Sequence, residues 1–393
     1  MSAVQRDAEG VDLAKYLAEC RAMVLDEIRA MVPQGSRASR VLYDLMLDYP
    51  MRDAKGLRPA LCVAACRALG GSLEGALPSA AVLELYHNAF LIHDDVEDRS
   101  EKRRDALTLQ RLHGVPIAVN VGDAMLALAL QPLLDNMHRL DMGRALRILE
   151  TVAVMARESA EGQAVELDWV RHARWDLTDD DYLAMVDQKT GWYSFIAPMR
   201  IGAIVAGASA EVLSALHDFA VALGAAFQIQ DDVLNLQGRE ADYGKEIAGD
   251  LWEGKHTLIL LHALRSMGAA ERERALEILD RPRPDTVDPA RDDLAGRLRR
   301  IVPALAEEGH LDATARRRLD ALLEDVTRTK TRDDVEWLLS QIDRHGSLGY
   351  AREVARARAS AAGAMLSSWS WMKPSVHRAV LQSLVDYVIE RER

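Results

Sequence analysis

Apolar residues recur along this chain every three or four positions, with no convincing alternation. That spacing predicts amphipathic helices rather than strands. The first helix is expected over about 11–32. A second starts near Pro59, whose fixed φ suits a first helical turn, runs through Leu61-Cys62-Val63-Ala64-Ala65-Cys66 and stops at Gly70-Gly71. A long helix is expected over 79–98. Others follow over 117–134, 143–157, 179–186, 191–206 and 210–232, with Gly and Pro at the breaks. From about 281 to 332 the pattern changes. Arg281-Pro282-Arg283-Pro284-Asp285 opens a charge-rich stretch with helical spacing at Leu311, Leu319, Leu322 and Leu323. It reads as a surface insertion containing short helices. Amphipathic helices resume over 333–393. The expected fold is all-α, a single domain over 1–393 with this one excursion.

Composition narrows the class. The chain has 393 residues, 49% hydrophobic and 28% charged, an ordinary globular balance. A formal net charge of −12 argues against a nucleic-acid partner, which calls for a basic face. Cys20, Cys62 and Cys66 form neither a C-x-x-C motif nor a disulfide framework. Cys62 and Cys66, four apart on an apolar helix, read as small core residues. The first residues lack a charged-then-apolar signal pattern. No stretch approaches 18 uninterrupted apolar residues, so no membrane span is expected. The expected setting is cytoplasmic.

Two acidic clusters carry the candidate chemistry. Asp94, Asp95 and Asp98 end the apolar run Ala89-Phe90-Leu91-Ile92, and Asp231 and Asp232 end a second apolar helix after Phe227 and Gln228. Carboxylates joined to apolar stripes are costly unless protonated or paired with cations. On a helix, Asp94 and Asp98 share a face and Asp95 lies about 100° away. That set suits Mg²⁺, which binds through one or two carboxylates plus substrate phosphate. A lone D-D-x-x-D is more often a solvated helix end. Here basic groups accompany it: Lys102-Arg103-Arg104, Lys189-Thr190, the Gly-flanked Lys245 and Lys255, and Lys55 and Arg58 at a helix start. Arginine's planar fork and a helix N-terminus both suit phosphate oxygens. Asn235 stands where a third Asp would complete the second cluster. It offers a carbonyl oxygen but no charge.

Together and in this order, these blocks resemble the all-trans isoprenyl diphosphate synthase (polyprenyl synthetase) family, most of all geranylgeranyl diphosphate synthases. The matched residues are Lys55, Arg58-Pro59, His87, Asp94-Asp95-x-x-Asp98, Arg103-Arg104, Gly122-Asp123, Lys189-Thr190, Phe227-Gln228-x-x-Asp231-Asp232, Tyr243-Gly244-Lys245 and Gly249-Asp250-Leu251-x-x-Gly254-Lys255. Three departures stand out: the first motif loses its middle Arg, Asn235 replaces an Asp, and Asp105 replaces a Gly.

The resemblance implies a helical bundle around a central cavity. It also implies Mg²⁺ held by Asp94, Asp98 and Asp231, with Asp95 and Asp232 in support. Arg103, Lys189, Thr190, Gln228, Lys245 and Lys255 are then expected on the allylic diphosphate. Lys55, Arg58, His87 and Arg104 are expected on isopentenyl diphosphate. The implied reaction is a trans condensation of the two. Tyr86, Ala89 and Phe90 lie under Asp94 along the path of a growing tail. Small Ala89 opens the first turn and bulky Tyr86 closes the second, which predicts a C20 product, geranylgeranyl diphosphate. A homodimer is implied too, with 122–134 as a contact. Other readings stay open: a farnesyl (C15) synthase, a class I terpene cyclase, or a non-catalytic partner subunit of a synthase.

Overall fold

The computed structural model describes residues 11–33, 35, 37–237, 248–284 and 289–390, and these are overwhelmingly helical. The principal helices are α1 (Leu13–Met31), α2 (Leu57–Ala68), α3 (Leu73–Glu97), α4 (Val115–Leu128), α5 (Leu130–Arg139), α6 (Met142–Arg171), α7 (Asp179–Val186), α8 (Ala197–Val205) and α9 (Ala210–Gln237). They continue as α10 (Gly249–Glu253), α11 (Leu258–Ser266), α12 (Ala269–Leu279), α13 (Pro289–Glu307), α14 (Ala313–Thr327), α15 (Arg332–Arg344), α16 (Ser347–Ser368) and α17 (Val376–Glu390). The all-α expectation holds.

Several boundaries differ from those the pattern predicts. α3 starts at Ser72, whose hydroxyl accepts from Gly75 N at 3.1 Å. A Ser cap satisfies one of the orphan amides of a first turn, and Pro78 then lies inside the helix rather than ahead of it. α6 runs 30 residues from its Asp141 cap, about twice the predicted length. No break occurs at Gly191, because Asp187–Ile196 is a π-helical segment continuous with α7 and α8. In the 281–332 stretch α13 and α14 have 19 and 15 residues, so they are not short, and they pack against each other. A two-residue hairpin pairs Lys102 with Leu107. Arg104 and Asp105 turn it at φ 53° and 60°, the double left-handed bend of a tight hairpin. Asp tolerates that region, which explains how it stands in the family's Gly position.

Two hydrophobic clusters make the core. One gathers α1, α2, α3, α8, α17 and the first half of α9. The other gathers α7, α11, α12, α15 and α16 around Ile229, Val233 and Leu236 of α9. α9 therefore runs through both, and Asp231 and Asp232 lie on its second half. α9 is apolar on nearly every side because it is packed on nearly every side.

By length and composition Ala210–Gln237 and Val115–Arg139 are each apolar enough to cross a membrane, although neither is an uninterrupted apolar run. The first is the core helix just described. Around the second, Leu112, Val115, Leu130 and Leu134 are each 45–50% exposed.

α2 and α8 meet almost backbone to backbone. A Cβ on Gly202 lies 2.2 Å from Cys62 O and 3.0 Å from Cys66 N. Neither atom can yield without moving a helix. Gly202→Ala is expected to lower stability by about 1–3 kcal/mol through overpacking, read as a lower thermal midpoint. An unchanged midpoint contradicts the close approach.

Candidate active site

α3 delivers the first acidic cluster at its C-terminal end, where the helix dipole opposes negative charge. The side chains there go to different places. Asp95 has no accessible surface. It accepts the Tyr49 hydroxyl at 2.6 Å and the Arg103 guanidinium, whose Nε donates at 3.0 Å and whose Nη2 makes a shorter bond. Asp94 and Asp98 keep about 23% and 13% of their side-chain surface. Asp94 lies 3.2 Å from the same guanidinium and 3.6 Å from Lys189 Nζ. Asp98 accepts from Lys255 Nζ at 2.9 Å. Burial pushes the Asp98 carboxyl up to about 6 even against Lys255.

The second cluster repeats the plan. Asp232 is buried and accepts the Tyr182 hydroxyl at 2.6 Å and Gln228 Nε2 at 2.8 Å. Burial and the Asp250 charge raise its carboxyl well above the usual range. Asp231 keeps partial exposure. In each pair, then, the second Asp is fastened inward by a tyrosine from another element. Asn235 Oδ1 is taken by the Asp250 amide at 3.2 Å, and Asn235 O by the Ala248 amide at 2.8 Å. It anchors the next turn of chain rather than facing outward.

The lysines close the gap between the clusters. The wider turns of the π-helical segment place Lys189 beside Asp94 and Glu166, while Thr190 donates to Gln228 Oε1 at 3.0 Å. A polar chain thus runs from Asp94 through Lys189-Thr190 and Gln228 to Asp232. α6 lets this segment in at Gly162, where a Cβ lies only 2.3 Å from Lys189 N. Burial alone pushes the Lys189 ammonium down, but Glu166 and Asp94 outweigh it and hold it above its ordinary value. Burial likewise pushes Glu166 up, and Lys189 and Lys255 outweigh that. Lys255 also pairs with Glu253 at 2.9 Å. Tyr49, Tyr182 and Glu166 were not foreseen, because each lies far from the Asp motifs in sequence and belongs to no motif.

Two turns before Asp94, on a similar face of α3, His87 belongs to an aromatic and basic group. His87 stacks on Tyr193 with ring centroids 5.8 Å apart, and the Arg58 guanidinium sits 4.6 Å from the Tyr193 centroid while donating to Ser194 Oγ at 2.7 Å. Burial, then Arg58 and Arg104, hold His87 neutral. Burial pushes Arg104 down to about 10, and its Nη1 donates to Tyr49 O at 3.1 Å. Lys55 is exposed, 5.4 Å from the Tyr387 centroid. Below Asp94, Phe90 meets Tyr86 and Tyr193 edge-on at 5.9 and 5.5 Å, and Ala89 is fully buried.

Two expectations need correction. Asp95 has no surface with which to meet a metal ion, and Asp232 is closed in the same way. Arg103 is buried with its guanidinium spent on Asp95 and Asp94, so it organises the acid cluster rather than standing ready for a diphosphate. Lys245 lies outside the described residues. Among the described residues, no set of three His, Cys, Asp or Glu side chains forms a ready metal cage. Asp94 and Asp98 do offer oxygen donors beside lysines. That donor set fits Mg²⁺, which takes few carboxylates and completes its shell with phosphate oxygens and water.

All-α packing around two acidic clusters, with lysines beside the first and a polar chain to the second, is an arrangement that suits a metal ion and a phosphate group. The comparisons with known proteins are specific. The family model described as polyprenyl synthetase matches residues 40–293, and the chain belongs to that family. It is 35% identical over 254 residues to the short chain isoprenyl diphosphate synthase of Methanocaldococcus jannaschii, covering 65% of this chain and 74% of that one. The crystal structure of geranylgeranyl pyrophosphate synthetase from Pyrococcus horikoshii superposes with TM-score 0.76 at 26% identity, over 96% of this chain and 98% of that one. A Caulobacter crescentus polyprenyl synthase, crystallised with calcium and isoprenyl diphosphate, gives 0.75 at 26% identity over 99% and 100%.

The tyrosine bonds are testable. Removing one hydroxyl leaves a buried carboxylate short of a donor, which costs about 1–3 kcal/mol. Tyr49→Phe and Tyr182→Phe are each expected to lower the denaturant midpoint accordingly. A wild-type midpoint in either variant contradicts the role of that bond.

Proposed function

We propose that this isoprenyl diphosphate synthase condenses an allylic diphosphate with isopentenyl diphosphate in a Mg²⁺-dependent trans reaction, with geranylgeranyl diphosphate (C20) as product. The observation that carries the reading is the polar chain from Asp94 through Lys189, Thr190 and Gln228 to Asp232. It links the first acidic cluster to the second through Lys189, and Lys255 joins the first cluster at Asp98.

Asp94, Asp98 and Asp231 would hold the metal, and Asp95 and Asp232, fixed by Tyr49 and Tyr182, hold their helices in register. Bound Mg²⁺ supplies positive charge for a leaving diphosphate. Lys189, Lys255, Thr190 and Gln228 bind the allylic diphosphate and share the charge that develops on it. Lys55, Arg58, Arg104 and neutral His87 orient isopentenyl diphosphate. The allylic C–O bond ionises, the second substrate's double bond attacks the cation, and the adjacent proton leaves to the released diphosphate. Apolar walls exclude the water that would quench the cation. No protein nucleophile is required. The Arg58–Tyr193–His87 group favours this over a terpene cyclase, which has no second diphosphate to hold. The intact acidic pairs favour it over a non-catalytic partner subunit.

Phe90 and Tyr86, in edge-on contact, would floor the tail's path and set C20 over C15. The apolar helices over about 122–134 would form the homodimer contact, with Leu130 and Leu134 exposed on them. A cytoplasmic setting goes with this reading.

Incubating the chain with isopentenyl diphosphate, each allylic starter and Mg²⁺ should give elongated products, and chelator should abolish them. Asp94→Asn or Asp231→Asn is expected to lower kcat by about 100-fold or more, the scale of losing one preorganised charge-stabilising group. No elongation with any starter refutes the reading. Tyr86→Ala should lengthen the product beyond C20. Unchanged product size on chromatography removes Tyr86 as the floor.

A further inference from the structure

Lys330 is the strongest buried cation that the mechanism leaves unused. It is 2% exposed, among the largest fully enclosed side chains of the molecule. A buried ammonium is costly unless hydrogen-bonded and paired. Its Nζ donates to Trp252 O at 2.8 Å. Trp252 lies in the last turn of α10, a five-residue helix whose terminal carbonyls have no intrahelical partner. An ammonium there satisfies one of them and meets the negative end of the helix dipole.

The same ammonium lies against the next residues. A Cβ on Gly254 would stand 3.4 Å from Lys330 Nζ, and Gly254 is at φ +75°. The turn is completed by Lys255 N donating to Asp250 O at 2.9 Å and Thr257 N to Lys255 O at 3.0 Å. Lys255 then faces Asp98 and Glu253. Lys330 is also where the charge-rich 281–332 stretch rejoins the body. Its amide donates to Pro282 O at 2.9 Å, and Arg281 pairs with Asp334 at 2.8 Å. Both ends of that stretch are pinned beside the Trp252–Lys255 turn.

We propose that Lys330 is a positioning residue: from beneath, it fixes the turn that aims the Lys255 ammonium at the acidic cluster, and so tunes binding of the allylic diphosphate. The inference rests on the proposed function, in which Lys255 holds that diphosphate. It makes the 281–332 stretch continuous with the catalytic turn rather than a neutral excursion.

The charged groups facing Lys330 are Glu253 and Asp280, which favour the ammonium, and Arg283, which opposes it. Burial outweighs them and brings it down to about 8. Lys189 and Lys255, by contrast, are held above their ordinary value by the carboxylates around them. Raising pH from 7 to 9 therefore acts on Lys330 before it acts on those two lysines.

Three measurements test this. In Lys330→Met, which keeps the buried volume, KM for the allylic diphosphate should rise about tenfold, the scale of one lost hydrogen bond from a charged group, while KM for isopentenyl diphosphate stays within about twofold. Calorimetry should show the same weakening for inorganic diphosphate with Mg²⁺, and amide exchange at Lys255 and Thr257 should quicken. A lower thermal midpoint with both KM values and the exchange unchanged overturns the proposal, because that is the signature of packing alone. Should Lys330→Met fail to fold, the wild-type chain decides: an allylic KM that rises between pH 7 and 9 upholds the proposal, and a flat one overturns it. A wild-type chain that elongates nothing refutes the functional reading instead.

Discussion

Taking carboxylates out of water is the constraint that shapes this molecule. Asp94, Asp95, Asp98, Asp231, Asp232 and Glu166 are gathered where helices pack, and like charges there cannot all ionise without partners. The structure answers in two ways. Arg103 and two tyrosine hydroxyls take the deepest carboxylates, Asp95 and Asp232. Lys189 and Lys255 take the shallower ones. Tyr49 precedes α2, Arg103 sits on the hairpin, Tyr182 on α7, Lys189 on the π-helical segment and Lys255 beyond α10. Charge balance therefore ties together segments that are far apart in the chain, alongside the apolar packing they share.

Each tyrosine ties the end or second half of an acid-bearing helix to a distant segment, so the register of α3 and of α9 is fixed on both sides. A one-residue slip of either helix would rotate its carboxylates by about 100° and break these bonds at once. The π-helical segment adds a further requirement. Its extra residue per turn lets Lys189 and Thr190 reach opposite clusters, and Gly162 on α6 makes room for it. A small change at the α6 contact thus moves the lysine that stands between the acids.

Much of this was legible in the sequence. The helical periodicity marks the elements, and the Asp pairs at the ends of apolar runs mark the site, because carboxylates beside Phe90-Leu91-Ile92 or Phe227 are costly without a purpose. What stayed hidden is long-range or backbone in origin. Pro78 reads as a break, yet Ser72 caps the helix before it. Gly191 reads as a break, yet the wider π turn absorbs it. Asp95 and Asp94 look alike in sequence, and the approach of Tyr49, 46 residues away, together with Arg103, separates a fully buried brace from a carboxylate that keeps about 23% of its side-chain surface. Lys330 carries no local signal, since its partner carbonyl is 78 residues distant.

The division between arginine and lysine follows from their chemistry. Arg103 meets Asp95 through more than one nitrogen and touches Asp94 as well, a planar fork suited to a fixed and desolvated partner. Lysine is a point charge on a flexible stem, able to exchange one acceptor for another at little cost in geometry. On the proposed function, Asp94 and Asp98 would hold the metal and Lys189 and Lys255 would turn to the diphosphate, which would keep positive charge near the acids. An arginine at 189 or 255 would bind its carboxylate more firmly and give it up more slowly. The braces need the rigid group and the exchange needs the flexible one, and the chain places each accordingly.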